Sequence, residues 1–204
     1  VGIGGTGGRL HINQTASFTS SSIDVRGGDY SSNSGSVSIN TTNSISAGTI
    51  NAAGIGANDG NGGSVWLNTS TLTVTNIYTN GDRHGGPINI ILRDPFTTVS
   101  GAKFWSYGGP VGGNGNAGNI YVNSTSKVTV KGAQIIAAGG YGGPPTLGNG
   151  GIVQFNASAI LFDTDVNVNA GQGGGVPGRL IIDTVSQASP PPPPPPPPPA
   201  PSTT

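Results

Sequence analysis

A seven-residue phrase that recurs along the whole chain constrains its fold more than any other feature. Its clearest form is SVSINTT at residues 36–42, in which polar and apolar residues alternate before a polar corner. Variants begin at residues 9, 36, 64, 87, 119, 152 and 179, so successive copies are separated by 27, 28, 23, 32, 33 and 27 residues. A period of two is typical of a β-strand with one buried face, whereas a helical repeat would space its apolar residues by three and four. The chain is therefore predicted to be a repeat protein made of strands.

Each repeat contains three short strands. After the phrase at residues 36–42, Ile45 and Ile50 mark two further alternating segments, and a glycine-rich stretch closes the unit. One such coil cannot bury its apolar face alone, but stacked coils can, because each strand pairs with its equivalents above and below. The sequence thus predicts an all-β fold, a parallel β-helix of six to seven coils. An antiparallel sandwich of short strands is the alternative, but it does not explain why one phrase recurs in one register.

Stacking of the phrases predicts two continuous apolar columns through the interior. The first consists of Leu10, Val37, Val65, Ile88, Ile120, Val153 and Leu180. The second consists of Ile12, Ile39, Leu67, Ile90, Val122, Phe155 and Ile182. The members of each column are expected to lie at equivalent positions of adjacent coils.

Three segments follow from the repeat: a glycine-rich joint at residues 1–8, the β-helix at residues 9–187, and a proline-rich tail at residues 188–204. The joint resembles the closing glycine stretch of an earlier coil, and the phrase at residue 179 starts a coil that is not completed. Bare strand edges invite association with another chain. A joint between copies is therefore predicted, and it is formed by Val1, Gly2, Ile3 and Gly4 of one copy with Leu180, Ile181 and Ile182 of the next.

The tail contains ten consecutive prolines, from Pro190 to Pro199, after Ser189. Such a run predicts a stiff polyproline II rod about 30 Å long. A stack of six to seven coils spaced by about 4.8 Å has a similar length. The rod is expected to brace the joint, or to carry O-linked glycans together with Ser202, Thr203 and Thr204, and a solvated linker is the alternative.

Composition excludes several functional classes. Eight basic residues balance eight acidic ones, so nothing predicts the basic face that nucleic-acid binding needs. The chain has no cysteine, which removes disulfides and thiolate metal sites, and no cofactor is expected. No apolar run reaches the roughly 18 residues of a membrane-spanning helix. A surface rich in Ser, Thr, Asn and Gly is typical of extracellular material, so a secreted or cell-surface location is predicted.

Five Asn-x-Ser/Thr sequons fall at the same corner of successive coils. They are centred on Asn13, Asn40, Asn68, Asn123 and Asn156. One interpretation is a line of N-glycans along one edge of the stack. The other is a ladder in which the side-chain amides bond to one another between coils. The sequence leaves both open.

Aromatic and acidic residues supply two further candidate sites. Trp66, Trp105, Tyr107 and Tyr121 are candidates for contact with glycans, although packing at an enlarged corner is the simpler explanation for Trp105 and Tyr107. Asp163 and Asp165 form the one close pair of carboxylates that a polysaccharide lyase or hydrolase would need. Corner residues are the more ordinary interpretation of this pair, and we predict no enzymatic activity.

The phrase apolar-x-apolar-Asn-x-Ser/Thr, followed by two short strands and a Gly-Gly-x-Gly-Gly stretch, resembles the repeats of filamentous haemagglutinin-like adhesins and related secreted bacterial β-helix proteins. The resemblance covers residues 9–187 and implies a right-handed β-helical shaft in a surface or secreted fibre. Ser189 and the prolines are similar to the Ser-Pro modules of hydroxyproline-rich cell-wall glycoproteins, which implies hydroxylated and O-glycosylated prolines.

These features together predict a structural subunit that joins copies of itself head to tail in an extracellular, glycosylated fibril. Deletion of residues 1–8 is then expected to abolish filaments while the coils remain folded. An adhesin module that contacts glycans or surface polysaccharide is the second hypothesis. A carbohydrate-active enzyme is the third.

Overall fold

The computed structural model describes residues 6–28, 33–54, 60–109, 115–140, 148–171 and 173–184. Within these residues the protein is all β, and its twelve strands pair in parallel in one continuous sheet that winds into a solenoid. The strands are β1 (Arg9–Asp24), β2 (Ser36–Asn51), β3 (Ser64–Thr69), β4 (Thr71–Tyr78), β5 (Ile88–Leu92), β6 (Phe96–Thr97), β7 (Lys103–Trp105), β8 (Ile120–Ser124), β9 (Lys127–Ile136), β10 (Ile152–Ala157), β11 (Ala159–Asn167) and β12 (Arg179–Thr184). The predicted parallel β-helix is confirmed.

Successive strands group into six coils and the first strand of a seventh. Strand β1 forms coil 1 and β2 forms coil 2. Coil 3 comprises β3 and β4, coil 4 comprises β5 to β7, coil 5 comprises β8 and β9, and coil 6 comprises β10 and β11. Strand β12 opens coil 7.

Several predicted residues lie outside the described part of the chain. They are the joint residues Val1, Gly2, Ile3 and Gly4 and the tail residues Ser189, Pro190, Pro199, Ser202, Thr203 and Thr204. In the described ranges, no helix is long and apolar enough to cross a membrane.

The register of the strands confirms both apolar columns. Leu10 lies beside Val37, Val37 beside Val65, and the same step continues without a slip to the pairing of Val153 with Leu180. The second column steps in the same way from Ile12 to Ile182. Because side chains alternate across a strand, this single register sends every member of both columns to the interior.

Three paired segments are present in each complete coil, but the strands are longer than the sequence predicts. Both β1 and β2 run 16 residues through the corners, and only coil 4 is divided into three separate strands. The reason is that most corners keep extended backbone and need at most one extra residue. Such a residue is Gly132 in β9, whose φ of 61° is accessible to glycine, and it produces the register shift between Asp163 and Asp165 of β11.

A column of glycines fixes how closely the coils approach at the start of each phrase. Each of these glycines directly precedes a copy of the phrase, and its carbonyl faces the equivalent glycine of the next coil. A Cβ on Gly63 would lie 1.8 Å from the carbonyl oxygen of Gly35, and one on Gly86 would lie 1.7 Å from that of Gly63. Real Cβ atoms do not reach such distances, so only glycine permits the stacking here. The column continues through Gly118, Gly151 and Gly178.

We expect the interior to tolerate loss of apolar volume far less than the adjacent corner. Ile90 is fully buried in the second column, whereas its neighbour Ile91 is 37% exposed. Ile90→Ala should lower the free energy of unfolding by about 2–5 kcal/mol, because it removes apolar groups that folding takes out of water and leaves a cavity in their place. Ile91→Ala, the same change one residue along, should cost less than about 1 kcal/mol. Urea unfolding followed by circular dichroism measures both, and equal losses would contradict the assigned register.

Candidate functional site

The two ends of the stack present unpaired strand edges in the part of the chain that the structure describes. At one end, β12 pairs only with β10, and β11 pairs only with β9. At the other end, β1 pairs only with β2. Each outer edge therefore carries a row of backbone N–H and C=O groups available to another strand.

The apolar columns emerge at the β12 end. In the interior coils their members are at most 1% exposed, but Leu180 is 41% and Ile182 43% exposed. Leu180 and Ile182, two of the predicted joint residues, thus form an apolar ledge next to an unpaired strand edge. Ile181, the third predicted residue, lies beside Gln154 on the outer face. At the opposite end, Leu10 and Ile12 of β1 are partly buried and packed against the core.

The sequon asparagines are joined by hydrogen bonds along one corner, which we call the Asn corner. The Nδ2 of Asn40 donates to the Oδ1 of Asn13 at 2.9 Å. Two coils are joined in the same way where the Nδ2 of Asn156 donates to the Oδ1 of Asn123 at 2.7 Å. The sequon hydroxyls also bond between coils, as where Ser70 donates to the carbonyl of Thr42 at 2.8 Å. Two rungs of the amide ladder considered from the sequence are therefore present among the described residues, and glycosylation of these asparagines stays a prediction.

Arg93 replaces the missing rung of this ladder. Coil 4 has Ile91 where coils 1, 2, 3, 5 and 6 have asparagine, since Ile91 lies in register between Asn68 and Asn123. The guanidinium of Arg93 donates to the Oδ1 of Asn68 at 2.9 Å and to the carbonyl of Thr41 at 2.6 Å. It thus connects coil 4 to both coil 3 and coil 2. No periodic signal pointed to Arg93, because an arginine occurs at this position in one coil only.

A second ladder runs along the glycine-rich corner and was not predicted. Four residues that lie three positions before a phrase accept the backbone N–H of their equivalent in the next coil, and they are Asn33, His84, Asn116 and Asn149. The Oδ1 of Asn116 accepts from Asn149 at 2.8 Å, and the Oδ1 of Asn149 accepts from Val176 at 2.8 Å. In coil 4 the Nδ1 of His84 takes this role toward Asn116 at 3.1 Å. The Asn-x-Gly that recurs directly before the phrases was a sequence signal from which this second ladder could have been predicted.

Aromatic side chains line a cleft of about 330 Å³ on the outer surface of coils 1 to 4. The ring centroids of Tyr78 and Trp105 lie 5.2 Å apart, and those of Trp105 and Tyr107 lie 6.0 Å apart. The Nζ of Lys103 lies 5.0 Å from the centre of the Trp105 ring. We call this the aromatic cleft, and its lining also includes Arg26, Asn51, Ala53, Gly54, Asn80 and Asp82.

Only part of the predicted aromatic set therefore comes together. Trp105 and Tyr107 lie in the aromatic cleft, where Tyr78 joins them. Trp66 and Tyr121 lie on a different face, in the outward row of the phrase strands, where Asn89 separates them. Tyr78 was missed, although its place one coil before Trp105, at the equivalent position, was an available signal.

Burial and charge pairing tune two groups at the aromatic cleft. Burial raises the pKa of the Tyr78 phenol above its ordinary value. The hydroxyl is protonated at neutral pH with or without this shift. The guanidinium of Arg26 pairs with Asp24 at 2.5 Å, and its hydrogen bonds lower the pKa of the Asp24 carboxyl. The positive charge of Arg26 is therefore compensated by the carboxylate of Asp24 in the same coil.

The acidic pair lies apart from this cleft. Asp163 and Asp165 are exposed on β11, beside Lys131 and Gln134 of β9 respectively. The hydroxyl of Thr164 between them donates to the carbonyl of Ala133. Among the residues that the structure describes, no three His or acidic side chains are grouped so that they could hold a metal ion.

Comparison with known proteins gives no relative: no family model, no curated protein and no solved structure matches this chain. The likeness to haemagglutinin-type adhesins and to proline-rich glycoproteins therefore remains a prediction from the repeat and the tail. The fold itself is that of a parallel β-solenoid.

Arg93 provides a test of the Asn corner. Arg93→Ala should reduce the free energy of unfolding by about 1 kcal/mol, because the hydrogen bonds to coils 2 and 3 are lost from an exposed side chain. Arg93→Lys should recover little of this loss, since an ammonium cannot make the same fork of contacts. Arg83→Ala, at another exposed arginine, should change stability by less than about 0.5 kcal/mol. Urea unfolding of the three variants measures these changes in the free energy of unfolding. A loss at Arg83 equal to that at Arg93 would contradict a stabilising role for the Arg93 hydrogen bonds.

Proposed function

We propose that this protein is a structural solenoid unit that assembles head to tail, with β12 of one copy pairing in parallel with β1 of the next. The observation that carries the proposal is the exposure of Leu180 and Ile182 at the end of two columns that are otherwise buried. This apolar ledge lies beside an unpaired strand edge in the described residues.

A second copy is the occupant that best complements this end. Strand β1 begins Arg-Leu-His-Ile and β12 begins Arg-Leu-Ile-Ile, so both follow the same inward and outward pattern. Within the molecule, β1 already pairs with β2 in the register that such a joint would repeat. Completing the burial of Leu180 and Ile182 would contribute roughly 1–3 kcal/mol, in addition to a new backbone ladder.

The symmetry of such a joint leads to a filament. The contact joins two different surfaces, the β12 end and the β1 end, and is therefore heterologous. A heterologous contact that repeats by translation and twist along an axis does not close on itself. The assembly is thus an open fibre in which the ladder continues from one copy to the next, and we place this fibre outside the cell.

Charge substitutions at the two ends test the proposal. Ile182→Asp and Ile12→Asp should each abolish filaments, because every joint would then bury an unpaired charge. An equimolar mixture of the two variants should form dimers only. The unaltered β12 end of Ile12→Asp can pair with the unaltered β1 end of Ile182→Asp, and the remaining ends are blocked because two like charges would face each other. Electron microscopy and sedimentation velocity distinguish filaments, dimers and monomers.

Leu161→Asp is the matched control, since Leu161 is 51% exposed on β11 and points away from both columns. It should leave filament formation intact, and circular dichroism should show every variant folded. Dimers of Ile12→Asp alone would instead indicate a joint between two β12 ends. Monomeric wild-type protein at all concentrations would reject the proposal.

The fibre would carry N-glycans at Asn13 and Asn123 in preference to the other sequons. The rung bonds use only the Oδ1 of these two residues, whereas Asn40 and Asn156 donate through Nδ2, the atom that a glycan modifies. Asn13 and Asn123 are also exposed, while Asn40, Asn68 and Asn156 are half-buried. Glycopeptide mass spectrometry of protein secreted from a glycosylating host should find the highest occupancy at Asn13 and Asn123. Preferential occupancy of Asn40 and Asn156 would contradict this order.

A further inference from the structure

The aromatic cleft combines features that the structural role of the solenoid does not require. Stacked coils are held by backbone ladders and inward apolar columns, yet Tyr78, Trp105 and Tyr107 place three aromatic rings on the outer surface. The Trp105 plane is inclined by 54° to that of Tyr78 and by 52° to that of Tyr107, so the rings form a tilted wall of the cleft instead of one flat patch. Binding sites for small molecules are typically concave and aromatic, with a few polar groups.

The indole of Trp105 is fixed at the centre of this wall. Its ring lies between those of Tyr78 and Tyr107, and the Lys103 ammonium lies against it. Such a cation–π contact holds the ring in place. The Nε1 of Trp105 is buried and has no hydrogen-bond partner among the described residues. An unsatisfied buried donor is uncommon in a folded protein and is more often found where a site has a function.

The polar groups of the aromatic cleft suit an uncharged ligand. Asn51 and Asn80 provide amides, and the Tyr78 phenol remains protonated at neutral pH. The two positive charges at the cleft, on Arg26 and Lys103, are matched in number by the carboxylates of Asp24 and Asp82, so the cleft has no excess of positive charge to attract an anion. A nucleic acid or a phosphorylated ligand would require such an excess.

The length of the aromatic cleft suits a chain of sugars. Its lining residues come from coils 1 to 4, which span about 14 Å along the axis at the coil spacing of a parallel ladder. The apolar faces of pyranose rings stack on aromatic side chains, while their hydroxyls bond to amides and carboxylates. We propose that the aromatic cleft is a binding site for an uncharged oligosaccharide, aligned with the solenoid axis and stacked on Trp105 and Tyr78.

Intrinsic fluorescence offers a direct test, because the chain has two tryptophans and only one lies in the cleft. In Trp66→Phe, all tryptophan emission comes from Trp105. Titration of this variant with hexasaccharides of β-1,4-linked glucose or N-acetylglucosamine should change the emission in a saturable way. An oligogalacturonate of the same length serves as the charged comparison and should bind more weakly.

Replacement of the rings should then remove binding without unfolding the protein. Trp105→Ala and Tyr78→Ala should each weaken the affinity for the preferred hexasaccharide by about tenfold or more, as measured by calorimetry. Trp66→Ala, the matched change on another outer face, should leave the affinity unaltered. Circular dichroism confirms that each variant is folded.

Three outcomes would overturn the proposal. They are the absence of binding to any uncharged glycan on an array, affinities that do not change in Trp105→Ala and Tyr78→Ala, and a preference for the charged comparison. None of these outcomes bears on head-to-tail assembly, since Tyr78 and Trp105 lie in coils 3 and 4, away from β1 and β12.

Discussion

The whole molecule depends on the parallel backbone ladder between one coil and the next. This ladder sets the distance between coils, and every side chain must then accommodate its own equivalent above and below. In the interior, stacking on an equivalent residue favours apolar side chains of similar size, and Ile39, Leu67 and Ile90 follow one another in this way in coils 2, 3 and 4. At the tightest corner it selects glycine, because a Cβ on Gly63 would meet the carbonyl of Gly35. At the outer corner it selects asparagine, whose amide can donate to one neighbour and accept from another.

The same condition explains how much the sequence could predict. A side chain that meets its equivalent leaves a periodic signal, so the alternation alone placed all members of the columns from Leu10 to Leu180 correctly. Contacts between unlike positions leave no such signal. Arg93 donates a hydrogen bond to the carbonyl of Thr41, which lies 52 positions earlier in the chain, and nothing in the repeat predicts that these two residues meet. The aromatic cleft was only half predicted for a different reason. Tyr78 and Trp105 occupy equivalent positions of coils 3 and 4, but the same outward row holds Asn51 in coil 2 and Ile136 in coil 5, so no periodic signal arises.

Departures from the repeat concentrate in coil 4. Ile91 replaces the corner asparagine, Pro95 without an N–H precedes the two-residue β6, and Trp105 occupies an outward position of β7. The described pairings of β6 involve β9 alone, so the ladder is weakest on this side of the coil. Arg93 compensates by connecting the coil to coils 2 and 3. Local breaks in an otherwise consistent pattern are where a functional demand, here the aromatic cleft, is most readily accommodated.

Assembly and ligand binding would use perpendicular directions of the same body. The strand edges of β1 and β12 face along the axis, whereas Tyr78 and Trp105 lie on the outer surface of the interior coils. Stacking of copies therefore leaves the clefts open and repeats them along a fibre at an interval set by the number of coils. If both proposals hold, a polymer of sugars could engage several clefts at once, and its apparent affinity would rise through effective concentration without any new contact. That gain would disappear for the Ile182→Asp variant, while the affinity of a single cleft would stay the same.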